Sequence, residues 1–152
     1  MSFLLPEIIL KLQNYCAYQE RCHQEVKNKL YELGCNTDTV NDVMVKLIET
    51  GFLNEERFAK AFAGGKFRTK KWGRLKIIRE LKSRKISDYC IKSGLREIDE
   101  DIYIQTMQDL ILKKAKQNLS WQEERKITQW LMGKGFELEL IRDCFNRIKS
   151  QE

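Results

Sequence analysis

The sequence predicts an all-α protein built from three tandem three-helix repeats that form an elongated, curved array. Three observations carry this. A single proline and eight glycines in 152 residues leave too few turn-formers for an all-β chain, while 42% hydrophobic and 33% charged residues are globular values. Six apolar positions recur three times at a spacing of about 50 residues. Each recurrence carries an i, i+4 pair followed by an i, i+4, i+7 run, the spacing of two amphipathic helices.

The recurrence is read directly from the residues. Val26, Leu30, Cys35, Val40, Met44 and Leu47 become Ile77, Leu81, Ile86, Ile91, Leu95 and Ile98 on moving 51 residues along the chain. A further 50 residues bring Ile127, Leu131, Phe136, Ile141, Phe145 and Ile148. The internal spacing never changes, so each unit contains a helical hairpin whose apolar stripes are expected to be core.

The first unit, residues 1–50, opens with a helix carrying Ile8, Leu12, Tyr15 and Cys16. In its hairpin turn Gly34 stands where a left-handed residue ends one helix, and Asn36 where an N-cap starts the next. Cys22 to Glu25 has the spacing of a capping box with a weaker capping side chain. The second unit, 51–99, starts from Asn54, an N-cap for a helix with Phe58, Ala59 and Phe62. Its hairpin has Ser87 as cap but Lys85 in place of glycine, so this turn is expected to differ locally. The third unit, 100–152, begins near Asp101 with Met107, Leu110, Ile111 and Ala115, and Ser120 with Glu123 forms a capping box. Gly135 restores the glycine, and Glu137 replaces the capping side chain. A unit of this length barely holds a core alone, so its faces should be completed by stacking on the next.

Chemistry is sparse. Cys16, Cys22, Cys35, Cys90 and Cys144 are odd in number and contain no C-x-x-C pair, which signals neither a disulfide framework nor a zinc site. His23, the only histidine, removes His-dependent triads and multi-histidine metal sites and is expected at the surface near a helix start. Glu97, Asp99, Glu100 and Asp101 fall at a loop and helix start, where capping accounts for them. Phosphate-binding glycine loops and nucleophile elbows are absent, so no enzyme and no cofactor are expected. The residues from Ser2 onward show no basic segment followed by an apolar stretch, which points to a cytoplasmic protein without a membrane span.

The informative feature is where charge sits. Residues 66–85 hold ten basic side chains against the single acid Glu80, an excess of +9 in a chain whose net charge is +6, so the remainder is acidic on balance. Lys66, Arg68, Lys70 and Lys71 lie in the loop that leads to Trp72 and Gly73; Arg74, Lys76, Arg79 and Lys82 continue on a helix whose buried stripe is Ile77, Ile78 and Leu81. On a helical wheel Lys76, Arg79 and Ser83 lie opposite that stripe, and a phosphate at the helix start would also meet free N–H groups. About 6 phosphate contacts would make affinity fall on the order of 10³-fold between low and moderate salt. Trp72 is a packing anchor or a platform for a base.

Three stretches resemble the RecX regulators of bacterial recombinase. They are Glu25-Val26-x-x-Lys29-Leu30 with Gly34; Gly51-Phe52-Leu53-Asn54-Glu55-Glu56-Arg57-Phe58-Ala59; and Gly73 followed by Ile77-x-x-Glu80-Leu81 and Ile86. The second is the most specific. Lys126-Ile127 through Trp130-Leu131 to Gly135-Phe136 also fits, so the resemblance covers about residues 20 to 148, with Cys22 and Lys85 departing from the family's serine and glycine. It implies three tandem three-helix repeats and a protein that binds the RecA filament within its helical groove. Such a protein modulates ATP hydrolysis and strand exchange in recombination and repair, usually by inhibition. It implies RecA, and single- or double-stranded DNA, as partners of a monomer, and no catalytic residue. Two other functions fit the basic segment: a DNA-binding helical module acting without a recombinase, and a protein-interaction adaptor whose basic face only solubilises.

Overall fold

The structure, a computed structural model, describes residues 5–115 and 119–151. Among these residues the chain forms nine α-helices: α1 (Leu5–Tyr18), α2 (His23–Glu32), α3 (Thr37–Glu49), α4 (Glu55–Lys70), α5 (Arg74–Ser83), α6 (Asp88–Leu95), α7 (Glu100–Lys114), α8 (Trp121–Gly133) and α9 (Leu138–Ser150). They fall into three groups of three. In each group the outer helices pack on one another, α1 on α3, α4 on α6 and α7 on α9, and the middle helix closes the hairpin. The recurring apolar positions are what these contacts bury: all are buried except Cys35, Leu95 and Ile148, which are half-buried against the same cores.

Helix starts follow the capping side chains. Asn36 Oδ1 accepts from the Thr39 amide at 2.9 Å, Asn54 Oδ1 from Arg57 at 2.9 Å, Ser87 Oγ from Cys90 at 3.2 Å, Asp99 Oδ1 from Ile102 at 3.0 Å and Ser120 Oγ from Glu123 at 3.2 Å. At α2 the reverse arm of the capping box is present, with the Cys22 amide donating to Glu25 Oε1 at 3.2 Å. Asp99 accounts for one of the clustered acids, as expected, by capping α7, whose first residue, Glu100, is one before Asp101. Ala115 lies outside α7, with extended backbone.

The hairpin turns share one geometry, which corrects the expectation for the middle one. Gly34 and Gly135 have φ of 85° and 98°, and Lys85 adopts the same left-handed region at 60°. The amide after each turn residue reaches back to the matching carbonyl, Cys35 to Leu30 at 3.1 Å, Ile86 to Leu81 at 3.2 Å and Phe136 to Leu131 at 3.1 Å. Packing of Ile86 and Leu81 in the core holds the turn, and Lys85 bears a left-handed penalty of about 1 kcal/mol rather than changing the path.

Stacking is uneven. The second and third units share a single core, from Phe58 and Ile77 through Tyr103 to Phe136 and Phe145, whereas Ile8, Leu12, Val26 and Leu47 make a separate core in the first, which takes in Leu53 from beyond residue 50. Among the described residues, Cys22 is the one buried residue preceding Asn54 that joins the larger core. The first unit is otherwise tied on by polar links. Arg57 Nε meets Glu20 Oε2 of the first unit at 2.6 Å, and its Nη2 fixes the chain just past residue 50 by donating to the carbonyls of Gly51 (3.0 Å) and Phe52 (3.3 Å). His23 begins α2 and sets Nδ1 3.2 Å from Glu55 Oε2. The accessible surface, 9656 Å², exceeds the ~8,100 Å² of a compact chain of this mass, as an open array does.

Candidate nucleic-acid interface

The basic segment is helical from its beginning. α4 continues through Gly64 and Gly65 to Lys70, so Lys66, Arg68 and Lys70 sit on its last turns rather than in a loop. Lys71 ends the helix in the left-handed region (φ 56°), and the amides of Lys71 and Trp72 turn back to the carbonyls of Phe67 (3.1 Å) and Lys66 (3.3 Å). No residue from Glu55 to Lys70 is a proline, and the α4 face that carries Ala59, Ala63 and Phe67 is buried, which carries the helix past its two glycines.

The start of α5 is closed by the third unit. Gly73 supplies no capping side chain, and its amide donates to the Lys134 carbonyl at 2.7 Å. The Arg74 amide donates to Tyr103 Oη at 2.9 Å, and the Leu75 amide to the Gly135 carbonyl at 2.9 Å. These N–H groups are therefore not available to a phosphate, contrary to the sequence expectation. The approach is close enough that a β-carbon on Gly73 would stand 2.4 Å from the Gly135 carbonyl carbon.

Arg74 is likewise committed. Its Nη1 is 2.9 Å from Glu137 Oε2, its Nη2 meets Glu100, and the guanidinium lies 3.9 Å from the centre of the Tyr103 ring. Burial opposes its charge, but the hydrogen bond and charge of Glu137 outweigh burial and raise its pKa. Tyr103, fully buried, donates its hydroxyl to Glu137 Oε1 at 2.5 Å, and burial together with that bond pushes its pKa upward. Glu137, which replaces the α9 cap, thus joins α5, α7 and α9. Arg74 is a structural residue of the junction and leaves the expected binding set.

The other expected cations stay clear of carboxylates: among the described residues Lys66, Arg68, Lys70, Lys71, Lys76, Arg79 and Lys82 form no ion pair. Arg84 does pair, with Glu80 at 3.3 Å. Arg68 folds over Gly64, and Lys71 Nζ donates to the Arg68 carbonyl at 2.9 Å. Arg79 and Lys82 are exposed on α5. Trp72 is half-buried, edge-on to Phe62 at 6.2 Å between ring centres, with Lys66 Nζ at 5.2 Å and Lys76 Nζ at 4.6 Å from its own centre. It packs against the core and carries lysines on its ring, so its packing role is the one observed.

Sequence reasoning missed Lys134. It follows α8 in the third unit, yet its Nζ donates to the Lys70 carbonyl at 3.1 Å, at the C-terminal end of α4. Burial, then the charges of Lys76 and Lys71, lower its pKa. No local signal marks it, because its place depends on docking against Lys70, 64 residues earlier in the chain.

Among the described residues no helix is long and apolar enough to cross a membrane. Residues 54–95 match the pattern of the RecX second three-helix domain, and residues 100–145 that of the RecX third three-helix domain. The regulatory protein RecX of Bacillus cereus (strain B4264) is 27% identical over 146 residues, which cover 94% of this chain and 54% of that protein. RecX of Bacillus mycoides (strain KBAB4) is 25% identical over the same length and shares. The chain spans about half the length of these curated relatives. The crystal structure of RecX from Lactobacillus salivarius superposes with a TM-score of 0.87 at 23% identity, covering 95% of this chain and 96% of that one. A second regulatory protein RecX structure gives 0.82 at 19% identity, covering 93% and 73%. Two successive RecX domain patterns thus occupy more than half of a chain that has the RecX architecture, and the chain belongs to the RecX family of regulatory proteins.

Proposed function

We propose that this chain regulates the RecA recombinase, as an inhibitor, by binding the RecA–DNA filament and modulating its ATP hydrolysis and strand exchange. Family membership supports the partner. The observation that supports the binding mode is the set of unpaired cations on the last turns of α4, on α5 and at the α8–α9 turn. Lysines without carboxylate partners raise a positive potential that draws in phosphates. No catalytic constellation takes part; the protein acts by occupying a surface.

The test is RecA ATPase on single-stranded DNA with and without stoichiometric protein. Inhibition is expected, and an unchanged rate overturns the proposal. The triple reversal Lys76→Glu, Arg79→Glu, Lys82→Glu separates the contacts. Loss of both DNA binding and inhibition is expected if the basic face meets the filament. A variant that loses DNA binding but still inhibits would assign the regulation to protein contacts instead.

A further inference from the structure

The positive surface does not end with the second unit. Lys134 Nζ donates to the Lys70 carbonyl at the α4–α5 turn, where it feels the charges of Lys76 and Lys71, and the same nitrogen lies 5.3 Å from the centre of the Trp130 ring. Lys114 Nζ approaches that ring to 4.7 Å. Lys114, Trp130 and Lys126 line one open groove with Ile127 and Glu123. The cations therefore form an unbroken sequence in space, from Lys66 and Lys76 around Trp72, through Lys134, to Lys114 and Lys126 around Trp130.

Two features separate this from an ordinary solvated face. None of Lys114, Lys126 and Lys134 has an ion pair among the described residues, although the acid next to the groove's own Glu123, Glu124, is engaged by Lys149 at 2.6 Å. The fold also holds Lys71, Lys76 and Lys134 together in spite of their repulsion, which an anion would relieve. Each tryptophan holds two lysine ammonium groups over its ring, Lys66 and Lys76 at Trp72 and Lys114 and Lys134 at Trp130, which sets the cations in two clusters along one surface. A flexible single strand can follow such a path over a turn between units, where a stiff duplex must be bent at a cost.

We propose that a single-stranded phosphodiester chain crosses the junction of the second and third units, from Lys66 and Lys76 over Lys134 to Lys114 and Lys126. The proposal rests on the reading that the basic face meets DNA and extends it to a second half that the basic segment does not contain. Its direction is set by the Lys134 bridge. The third unit then holds nucleic acid as well as scaffold.

The experiment measures binding of a fluorescent oligothymidylate to the whole protein by anisotropy across a salt series, with a duplex of equal length in parallel. Lys114→Gln with Lys126→Gln, and separately Lys134→Gln, remove the second half; Lys76→Gln with Lys82→Gln removes part of the first. Circular dichroism checks that each variant keeps its helices, and Lys134→Arg retains the charge as a control. Each half should lose several-fold in affinity, and the logarithmic salt slope should fall by ~0.7 for each phosphate contact removed from a single strand. Wild-type binding and slope in the Lys114/Lys126 variant, with loss in the Lys76/Lys82 variant, would overturn the crossing and leave the basic segment standing. Full binding by both variants would sink the underlying reading as well. Tighter binding of the duplex, lost equally in both variants, would refute the choice of a single strand.

Discussion

Replacing Gly73 by alanine tests the junction on which the candidate interface depends. Gly73 has φ of −78°, which any residue adopts, so an effect must come from contact and not from backbone strain. The added β-carbon would lie 2.4 Å from the Gly135 carbonyl carbon and 2.4 Å from the Phe136 nitrogen, against an ordinary separation of ~3.5 Å. Both are backbone atoms, so the units must part by ~1 Å. That would strain or break the bonds from Gly73 to Lys134 (2.7 Å) and from Leu75 to Gly135 (2.9 Å). Overpacking costs ~1–3 kcal/mol and each lost bond ~1 kcal/mol, while alanine's stiffer unfolded chain returns ~0.5–1 kcal/mol. The expected net is a loss of ~2–4 kcal/mol, or on the order of 10 °C in Tm for a chain of this size. Gly65→Ala is the control, since a β-carbon there meets nothing within 4 Å inside α4, and it should be neutral or stabilise by up to ~1 kcal/mol. Urea denaturation followed by far-ultraviolet circular dichroism reads both. If Gly73→Ala costs less than ~0.5 kcal/mol, the close backbone approach is not how these units meet.

Three further expectations follow from particular residues. Lys85→Gly should stabilise the chain by ~0.5–1 kcal/mol in the same denaturation assay, because glycine removes the left-handed penalty at φ 60° while giving back some unfolded-state entropy; destabilisation would contradict the turn geometry. Tyr103→Phe should cost ~1–3 kcal/mol, because it leaves the Arg74 amide and one Glu137 oxygen without their partner; a neutral result would show that the hydroxyl bonds are dispensable. Stability should also fall in alkali: burial pushes the Cys22 thiol from 9.0 to about 11 and raises Tyr103. For acids held neutral in the fold, the unfolded state sheds protons first. The contribution is thus complete below pH 9 and is lost between 9 and 11 as the unfolded thiol ionises, with Tyr103 adding to the fall above its ordinary value of 10. Burial raises the Cys16 and Cys144 thiols too, so Cys22→Ala should reduce the earlier part of that decline without abolishing it in a pH series of denaturation midpoints.

Much of the fold was legible because it rests on local rules. A stripe such as Val26 and Leu30 buries itself on any helix, and Asn36, Asn54, Ser87 and Ser120 cap the helices they precede. The middle turn was misjudged because Lys85 breaks a propensity that core burial of Leu81 and Ile86 overrides. The candidate interface was legible only as composition. That the segment is basic follows from counting residues, but which cations remain free depends on distant partners. Arg74 is removed from the surface by Glu100 and Glu137, and Lys134 is added to it by the Lys70 carbonyl. Neither change leaves a mark within a window of ten or fifteen residues.

The departures from the repeat do have a common physical cause at the junction. Gly73 cannot cap α5 with a side chain, and Glu137 does not cap α9. Taken one helix at a time, these are defects worth a few tenths of a kcal/mol at Gly73 and about 1 kcal/mol at Glu137. Across the two units they are connected: the uncapped amides of α5 are met by Lys134, Tyr103 and Gly135, and the Glu137 carboxylate holds Tyr103 and Arg74 instead of its own helix. A side chain at position 73 would separate the units, and a short capping residue at 137 would lack the length to bridge α7 and α5. Local stability is therefore given up where a contact between units replaces it. The first unit, whose core is separate, does this among the described residues only at α2, where the His23 amide donates to Glu55 Oε1 at 3.2 Å, while Asn36 caps α3 locally. The shared core of the second and third units is what keeps Lys134 beside Lys71 and Lys76, so the spacing of charges on the candidate interface is a consequence of the same contacts that replaced the caps.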